Sequence, residues 1–233
     1  MKKILIFIMF SLIIGTSLFS QTPEDPILLW EDSITIWGWS KNGKVGISEY
    51  SHGQDFPIFK TIIFDAVNDT VLWEKKCNFT DYYDGSPESI TGEGWNQVVT
   101  SFNNAVSGLL QEFQNICKQQ HNIVLQETDT VFPLGSSFQY KGRTFNININ
   151  TFVKETEDGL FMSYSVLAET DTRKKTVYSS KEGSVLYPYP IKFVRYAISP
   201  HEERALIIIL TTTKEGEYYR FSYIGCHLSS GFR

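Results

Sequence analysis

The chain has 233 residues, with 21 basic and 26 acidic side chains, a net charge of −5 and 15% aromatic residues. The chain is acidic overall and has no cluster of basic residues, which argues against nucleic acid and anionic membrane surfaces as partners. The aromatic content is too high for a disordered chain and indicates a large buried interior.

The N-terminus is typical of an export signal. Two lysines, Lys2 and Lys3, precede an almost wholly apolar run that ends at small residues and a polar break. This order is the pattern of a secretory signal peptide, so we expect cleavage after Ser20, with Ser17 as the alternative. Because the apolar run is long, an uncleaved anchor is a further alternative.

The sequence therefore predicts two parts, a signal peptide at residues 1–20 and a single domain at residues 21–233. We expect the domain to be exported, either periplasmic or extracellular in a bacterium, and not to stay inserted in a membrane once the signal is removed.

Short apolar segments between turn residues predict an antiparallel meander over the first part of the domain. The Asn42-Gly43 pair gives the strongest hairpin signal in this region. Residues 78–94 form the longest irregular stretch before the pattern changes to a helical one.

Residues 95–121 carry apolar side chains at the i, i+3, i+4, i+7 spacing of one helical face. Asn122 is the expected stop. Gly108 lowers helix propensity, which suggests a close backbone contact at that position. The opposite face is rich in Asn, Gln, Ser and Thr, with only Glu112 and Lys118 charged. We expect this face to be covered by residues 78–94 or, if exposed, to be a partner surface.

After the helix, the clearest period-two signal in the chain predicts a strand with one buried face and one row of asparagines. Its apolar residues are Phe145, Ile147 and Ile149, and its polar ones are Asn146, Asn148 and Asn150. Later hairpins follow to the C-terminus. We predict an α+β fold: antiparallel β meanders of about ten strands, with one long amphipathic helix packed on a sheet face.

Two turns share a serine-containing pattern. The first follows Trp39 with Ser40 and Gly43, and the second follows Ile198 with Ser199 and Pro200. Both resemble a turn of β-propeller blades, but two copies separated by a long helix do not make a propeller. We interpret them as one turn solution used twice.

Three cysteines, Cys77, Cys117 and Cys226, form an odd number for an oxidising compartment. Cys117 falls on the apolar helix face and is expected to be a small buried residue. Cys77 and Cys226 each end a predicted strand, so they either pair or remain free thiols.

Several segments of the first part are similar to the opening of a family of predicted secreted bacterial proteins of unknown function. In that family a hairpin, a Tyr-Gly loop and an Ile-Asp strand precede a long helix. The matching segments are Trp39-Ser40-x-x-Gly43, Glu49-Tyr50, Gly53-Gln54-Asp55-Phe56-Pro57 and Ile63-Phe64-Asp65. The late segment of this chain, residues 215–220, keeps a Glu-Gly step and an arginine but lacks the family's second glycine and its proline. The resemblance implies a secreted globular domain and assigns no activity.

No zinc-ligand spacing, nucleophile elbow or phosphate loop occurs in the sequence, and no cofactor is predicted. Two loops are candidate binding sites. One carries Asp81, Tyr82, Tyr83 and Asp84, whose carboxylates suit calcium and whose tyrosines, if exposed, suit sugar rings or peptides. The other carries His52 and Asp55, which could share a proton.

The favoured function is a non-enzymatic binding or envelope-associated module whose ligand is an unknown protein or glycan. One alternative is a hydrolase in which Asp55, Asp81 and Asp84 converge in an acidic cleft. The other is a calcium-stabilised binding module.

Overall fold

Three antiparallel sheets and one long helix make up the described part of the chain, which confirms the predicted α+β class. The computed structural model describes residues 33–52, 56–83, 93–126, 132–133, 137–156, 159–180, 185–186, 193–212 and 219–232. All of these residues belong to one compact unit, Asp32–Arg233. The predicted signal peptide lies outside the described residues.

The N-terminal sheet has five strands: β1 Ser33–Trp39, β2 Lys44–His52, β3 Pro57–Asp65, β4 Thr70–Asn78 and β5 Val124–Leu125. Their order in the sheet is β4-β3-β2-β1-β5. The Asn42-Gly43 turn joins β1 to β2 as predicted, with Gly43 at φ 78°. Strand β5 follows the helix in sequence and returns to pair with β1.

The single long helix, α1 Glu93–His121, packs on one face of the N-terminal sheet. It buries the predicted apolar face, because Phe102, Leu109, Phe113 and Cys117 are each at most 6% exposed. Asn122 adopts a left-handed φ of 55° and ends the helix at the predicted residue.

Gly108 lies on the opposite, exposed face of α1, and a Cβ added there would meet no atom within 4 Å. The expected close backbone contact at this glycine is therefore wrong.

Gly108→Ala is expected to raise the free energy of unfolding by about 0.5–1 kcal/mol. Alanine loses less backbone entropy in a helix interior than glycine does, and this site has room for the methyl group. Urea unfolding followed by circular dichroism measures the difference. An unchanged or lowered stability would contradict an open helical environment at this position.

The remaining strands form two further sheets. The strands of the central sheet are β6 Phe132–Pro133, β12 Phe193–Ile198, β13 Arg204–Thr212 and β14 Tyr219–His227. Those of the arm sheet are β7 Phe138–Tyr140, β8 Arg143–Thr156, β9 Gly159–Thr170, β10 Lys174–Ser179 and β11 Val185–Leu186. The central sheet has the order β14-β13-β12-β6, and the arm sheet has the order β10-β9-β8-β7, with β11 also paired to β9.

The central sheet lies between the other two. Leu206 and Ile208 of β13 pack against the N-terminal sheet, and Ile207 and Ile209 pack against the arm sheet. Because successive side chains of a strand point to opposite faces, a strand buried on both sides must be apolar at every position. The order of layers is therefore α1, N-terminal sheet, central sheet, arm sheet.

The three cysteines are free, and each is buried in a different part of the core. Cys77 lies under α1, Cys117 lies farther along the same interface, and Cys226 lies between the central and arm sheets. The alternative in which Cys77 pairs with Cys226 is wrong, because these two side chains belong to different layers. Within the described ranges, no helix is at once long and apolar enough to cross a membrane.

Candidate functional site

The first predicted loop begins with a short turn beneath the N-terminal end of α1. Residues Phe79–Asp81 form one turn of 3-10 helix directly after β4. The Asp81 carboxylate accepts a hydrogen bond from the backbone N–H of Asn78 at 3.2 Å and caps this turn. Asp81 is therefore already engaged in local structure, and Asp84 lies outside the described residues.

The two tyrosines of this loop have different environments. Tyr83 is buried, with its ring 5.1 Å from that of Phe56 and 6.3 Å from those of Phe79 and Trp95. Its hydroxyl has no hydrogen-bond partner among the described residues. The hypothesis that both tyrosines offer exposed rings is therefore wrong for Tyr83, which is a core residue.

Tyr82 remains on the surface, with 37% of its area exposed. Its ring lies 6.2 Å from that of Phe102 on α1, and its hydroxyl accepts a weak hydrogen bond from the Cys77 thiol at 3.7 Å. Among the described residues of this loop, Tyr82 is the aromatic side chain that stays accessible to a ligand.

The second predicted loop is described only at its edges. His52 is the last residue of β2, where its backbone pairs with Pro57 of β3. Its side chain and the whole of Asp55 lie outside the described residues. The convergence of Asp55, Asp81 and Asp84 therefore stays a prediction. Among the residues that are described, no group of three His, Cys, Asp or Glu side chains is placed to hold a metal ion.

The cysteine thiols are unsuited to nucleophilic chemistry. Burial raises the pKa of Cys117 to about 12 and that of Cys226 to about 11, and it also raises the pKa of Cys77. A thiol with such a pKa is almost fully protonated at neutral pH. Cys226 is 1% exposed, whereas the half-buried His227 ring accepts a bond from the Ser229 N–H at 3.2 Å. Cys226 and His227 are adjacent in β14, so their side chains point to opposite faces of the sheet and do not form a Cys–His pair.

The outer side of α1 carries a long row of exposed, uncharged polar side chains. We call it the amide face, and its members are Asn96, Gln97, Thr100, Ser101, Asn104, Ser107, Gln111, Asn115 and Gln119. All nine are exposed. Of the two charged residues nearby, Glu112 is paired with Lys75 of β4 at 2.7 Å, and Lys118 is exposed near the helix end. The amide face is therefore exposed, which leaves it as the candidate partner surface.

The amide face has a definite chemical character. Each Asn or Gln side chain offers two N–H donors and a carbonyl acceptor, and none of them repels a ligand of either charge. Solvent-facing helices usually carry Lys and Glu in these positions, since such pairs stabilise a helix. Along most of its exposed length, α1 therefore lacks the Lys–Glu pairs that would stabilise it.

No protein-family model, curated protein or solved structure matched this chain.

Proposed function

We propose that the chain is an exported, non-enzymatic binding protein that recognises its ligand through the amide face of α1. The observation that carries this proposal is the exposure of nine uncharged polar side chains along one side of a 29-residue helix. Such a surface makes many hydrogen bonds without charge, which suits a neutral, hydroxyl-rich ligand such as a glycan.

A rigid base makes the amide face suitable for recognition. The buried side of α1 packs on the N-terminal sheet through Phe102, Val106, Leu109, Phe113 and Cys117. A binding surface on a firmly packed helix loses little conformational entropy when it binds, so more of the contact energy contributes to affinity. Tyr82, beside Phe102, adds an aromatic ring near the first half of the helix.

Site-specific photo-crosslinking in the native cells tests the proposal. The photoreactive residue p-benzoylphenylalanine replaces Asn104 or Gln111 on the amide face, and in the control it replaces Lys76, which is exposed on β4. We expect the two amide-face positions to give crosslinked products in the exported fraction and the control to give none.

Binding of the purified protein to an array of neutral glycans then identifies the ligand class. Asn104→Ala together with Gln111→Ala is expected to reduce binding about tenfold or more, because each lost hydrogen bond contributes on the order of 1 kcal/mol. Crosslinks at the control position alone, or glycan binding unaffected by the double substitution, would overturn the proposal. A hydrolytic activity on ester, glycoside or peptide substrates would replace it with the enzyme alternative.

A further inference from the structure

The amide face contains three amides that follow one another at a spacing of seven residues. Gln97, Asn104 and Gln111 have this spacing, and all three are exposed. Seven residues make almost two turns of an α-helix, so the three side chains form one line that drifts by only about 20° per repeat. Asn104 lies two residues after the buried Phe102, and Gln111 lies two residues before the buried Phe113, so the line runs along the side opposite the core. We call these three residues the crest row.

Hydroxyl groups beside the crest row have the same period. Thr100 and Ser107 are exposed, and each comes three residues after a crest amide, so an amide–hydroxyl pair occurs twice in succession. The Ser107 hydroxyl donates to the Asn103 carbonyl oxygen at 2.9 Å, and its own oxygen can still accept a hydrogen bond. A surface that repeats its hydrogen-bonding groups in this way fits a ligand with a repeat of the same length.

The length of this repeat points to one kind of polymer. The helical rise separates neighbouring members of the crest row by about 10.5 Å along the axis. A β-1,4-linked chain of pyranose sugars is extended, and successive sugars are turned over, so its structure repeats every two sugars at nearly this distance. Every second sugar then meets an amide in the same orientation. An α-1,4-linked chain coils instead and departs from a straight row.

The charge of this surface favours neutral sugars over other linear polymers. The crest row is uncharged, and the Glu112 carboxylate beside it is paired with the Lys75 ammonium group at 2.7 Å. A nucleic acid or an acidic polysaccharide would need cations that the row does not carry. A partner helix also matches a seven-residue spacing, but helix pairs in water are held together by apolar side chains at that spacing, and the crest row has none.

We propose that the ligand of the amide face is an extended, neutral, β-1,4-linked glycan that lies along the crest row. This inference rests on the proposed function and specifies its ligand. Each crest amide donates hydrogen bonds to, and accepts them from, the polar groups of every second sugar. Three amides meet three successive disaccharides, so six sugars occupy the row.

Isothermal titration calorimetry with cellulose and chitin fragments of two, four and six sugars tests this ligand class. We expect affinity in at least one series to rise about fivefold with each added disaccharide, the gain from roughly one further hydrogen bond. The control is maltohexaose, whose α-1,4 linkage makes it coil. We expect it to bind about tenfold or more weakly than the best six-sugar β-1,4 fragment, because it reaches fewer amides.

Gln111→Ala removes the last member of the crest row and leaves the first two in place. We expect this variant to bind the six-sugar fragment no more tightly than the four-sugar fragment, and to bind the latter as the natural chain does. The matched control is Gln139→Ala, which removes an exposed amide from β7 of the arm sheet and should change neither affinity.

The outcomes separate this inference from the proposed function. Maltohexaose that binds as tightly as the β-1,4 fragments, or a gain from four to six sugars that survives Gln111→Ala, overturns the extended glycan but leaves a glycan site on the amide face. Absence of binding by every glycan overturns both. A photo-crosslinked product at Asn104 that contains a second polypeptide overturns the glycan in favour of a protein partner.

Discussion

Gly225→Ala is expected to lower the free energy of unfolding by about 3 kcal/mol or more, a large part of the total stability of a domain. An added Cβ at this position would lie 1.8 Å from the Ala66 carbonyl oxygen and 2.6 Å from its carbon. Both of these atoms belong to the backbone, so no side-chain rotation relieves the clash. The turn between β3 and β4 would have to leave the edge of β14. Urea unfolding measures the change.

The control for this prediction is the same substitution at Gly108, where a methyl group meets no neighbour and stability is expected to rise. A Gly225→Ala variant within about 0.5 kcal/mol of the natural chain would show that the two sheets separate easily at this junction. That result would contradict the tight contact between them.

The junction at Gly225 explains how the N-terminal and central sheets are held together. The Gly225 N–H donates to the Asp69 carboxylate at 2.6 Å, which protects part of the free edge of β14. Arg204 donates to the Ala66 carbonyl at 2.8 Å, and the Ala66 N–H donates to the Gly43 carbonyl at 2.9 Å. Hydrogen bonds thus connect the turns of three hairpins at one end of the molecule.

The two serine-containing turns lie side by side at this junction. Ser40 accepts a bond from the Lys44 N–H at 2.9 Å, and Ser199 accepts from the Glu202 N–H at 3.2 Å. The interpretation of one turn solution holds only for the serine hydroxyl as acceptor, because the donor lies four residues on in the first turn and two and three residues on in the second. Their proximity was not predictable, because it depends on the packing of two sheets whose strands are far apart in sequence.

Local patterns predicted the elements that depend on local physics. Apolar spacing predicted the buried face of α1, and Asn42-Gly43 predicted the first hairpin. The division of the strands into three sheets was not predicted, since each strand shows only that it has a buried face and not what covers it. In β13 the uninterrupted apolar run did carry information about its two covered faces.

The candidate loop shows the limit of sequence reasoning for the site. Tyr82 and Tyr83 are adjacent in an irregular stretch without periodicity, so nothing in the sequence distinguishes the exposed ring from the buried one. For a charged residue in a strand, the alternation of the strand does indicate whether the side chain is buried. Glu49 shares a face of β2 with Val45 and Ile47, both fully buried, so period-two alternation places this carboxylate in the core.

Glu49→Ala is expected to lower the free energy of unfolding by about 3 kcal/mol, the lower end of the range for breaking a buried charge pair. The Glu49 side chain is 3% exposed and forms an ion pair with Lys60 at 2.8 Å. It also accepts a hydrogen bond from the Tyr223 hydroxyl of the central sheet. Alanine leaves that hydroxyl and the partly buried ammonium group of Lys60 without their partner.

Glu49→Gln separates the charge from the hydrogen bond. Glutamine keeps an acceptor for Tyr223 and nearly the same volume, so we expect its cost at neutral pH to be about 1 kcal/mol. Tyr223→Phe is the matched change on the other side, because it removes only the hydroxyl that Glu49 accepts from. If Glu49→Ala proves no more destabilising than Glu49→Gln, the contacts among Glu49, Lys60 and Tyr223 do not hold the N-terminal and central sheets together.

The pH dependence of the stability difference between Glu49→Gln and the natural chain shows whether burial or the ion pair with Lys60 dominates at Glu49. Burial, the largest cause, raises the pKa of this carboxyl above its ordinary value of 4.5, although Lys60 and Tyr223 act in the opposite direction. The native protein therefore holds the Glu49 proton more tightly than the unfolded chain does. The resulting stability is fully present below pH 4.5 and is lost as the pH rises through the native pKa.

Glu49→Gln has no such proton, so its stability deficit relative to the natural chain should be larger at pH 4 than at pH 7. A deficit that grows with rising pH would mean that the ion pair with Lys60 outweighs burial.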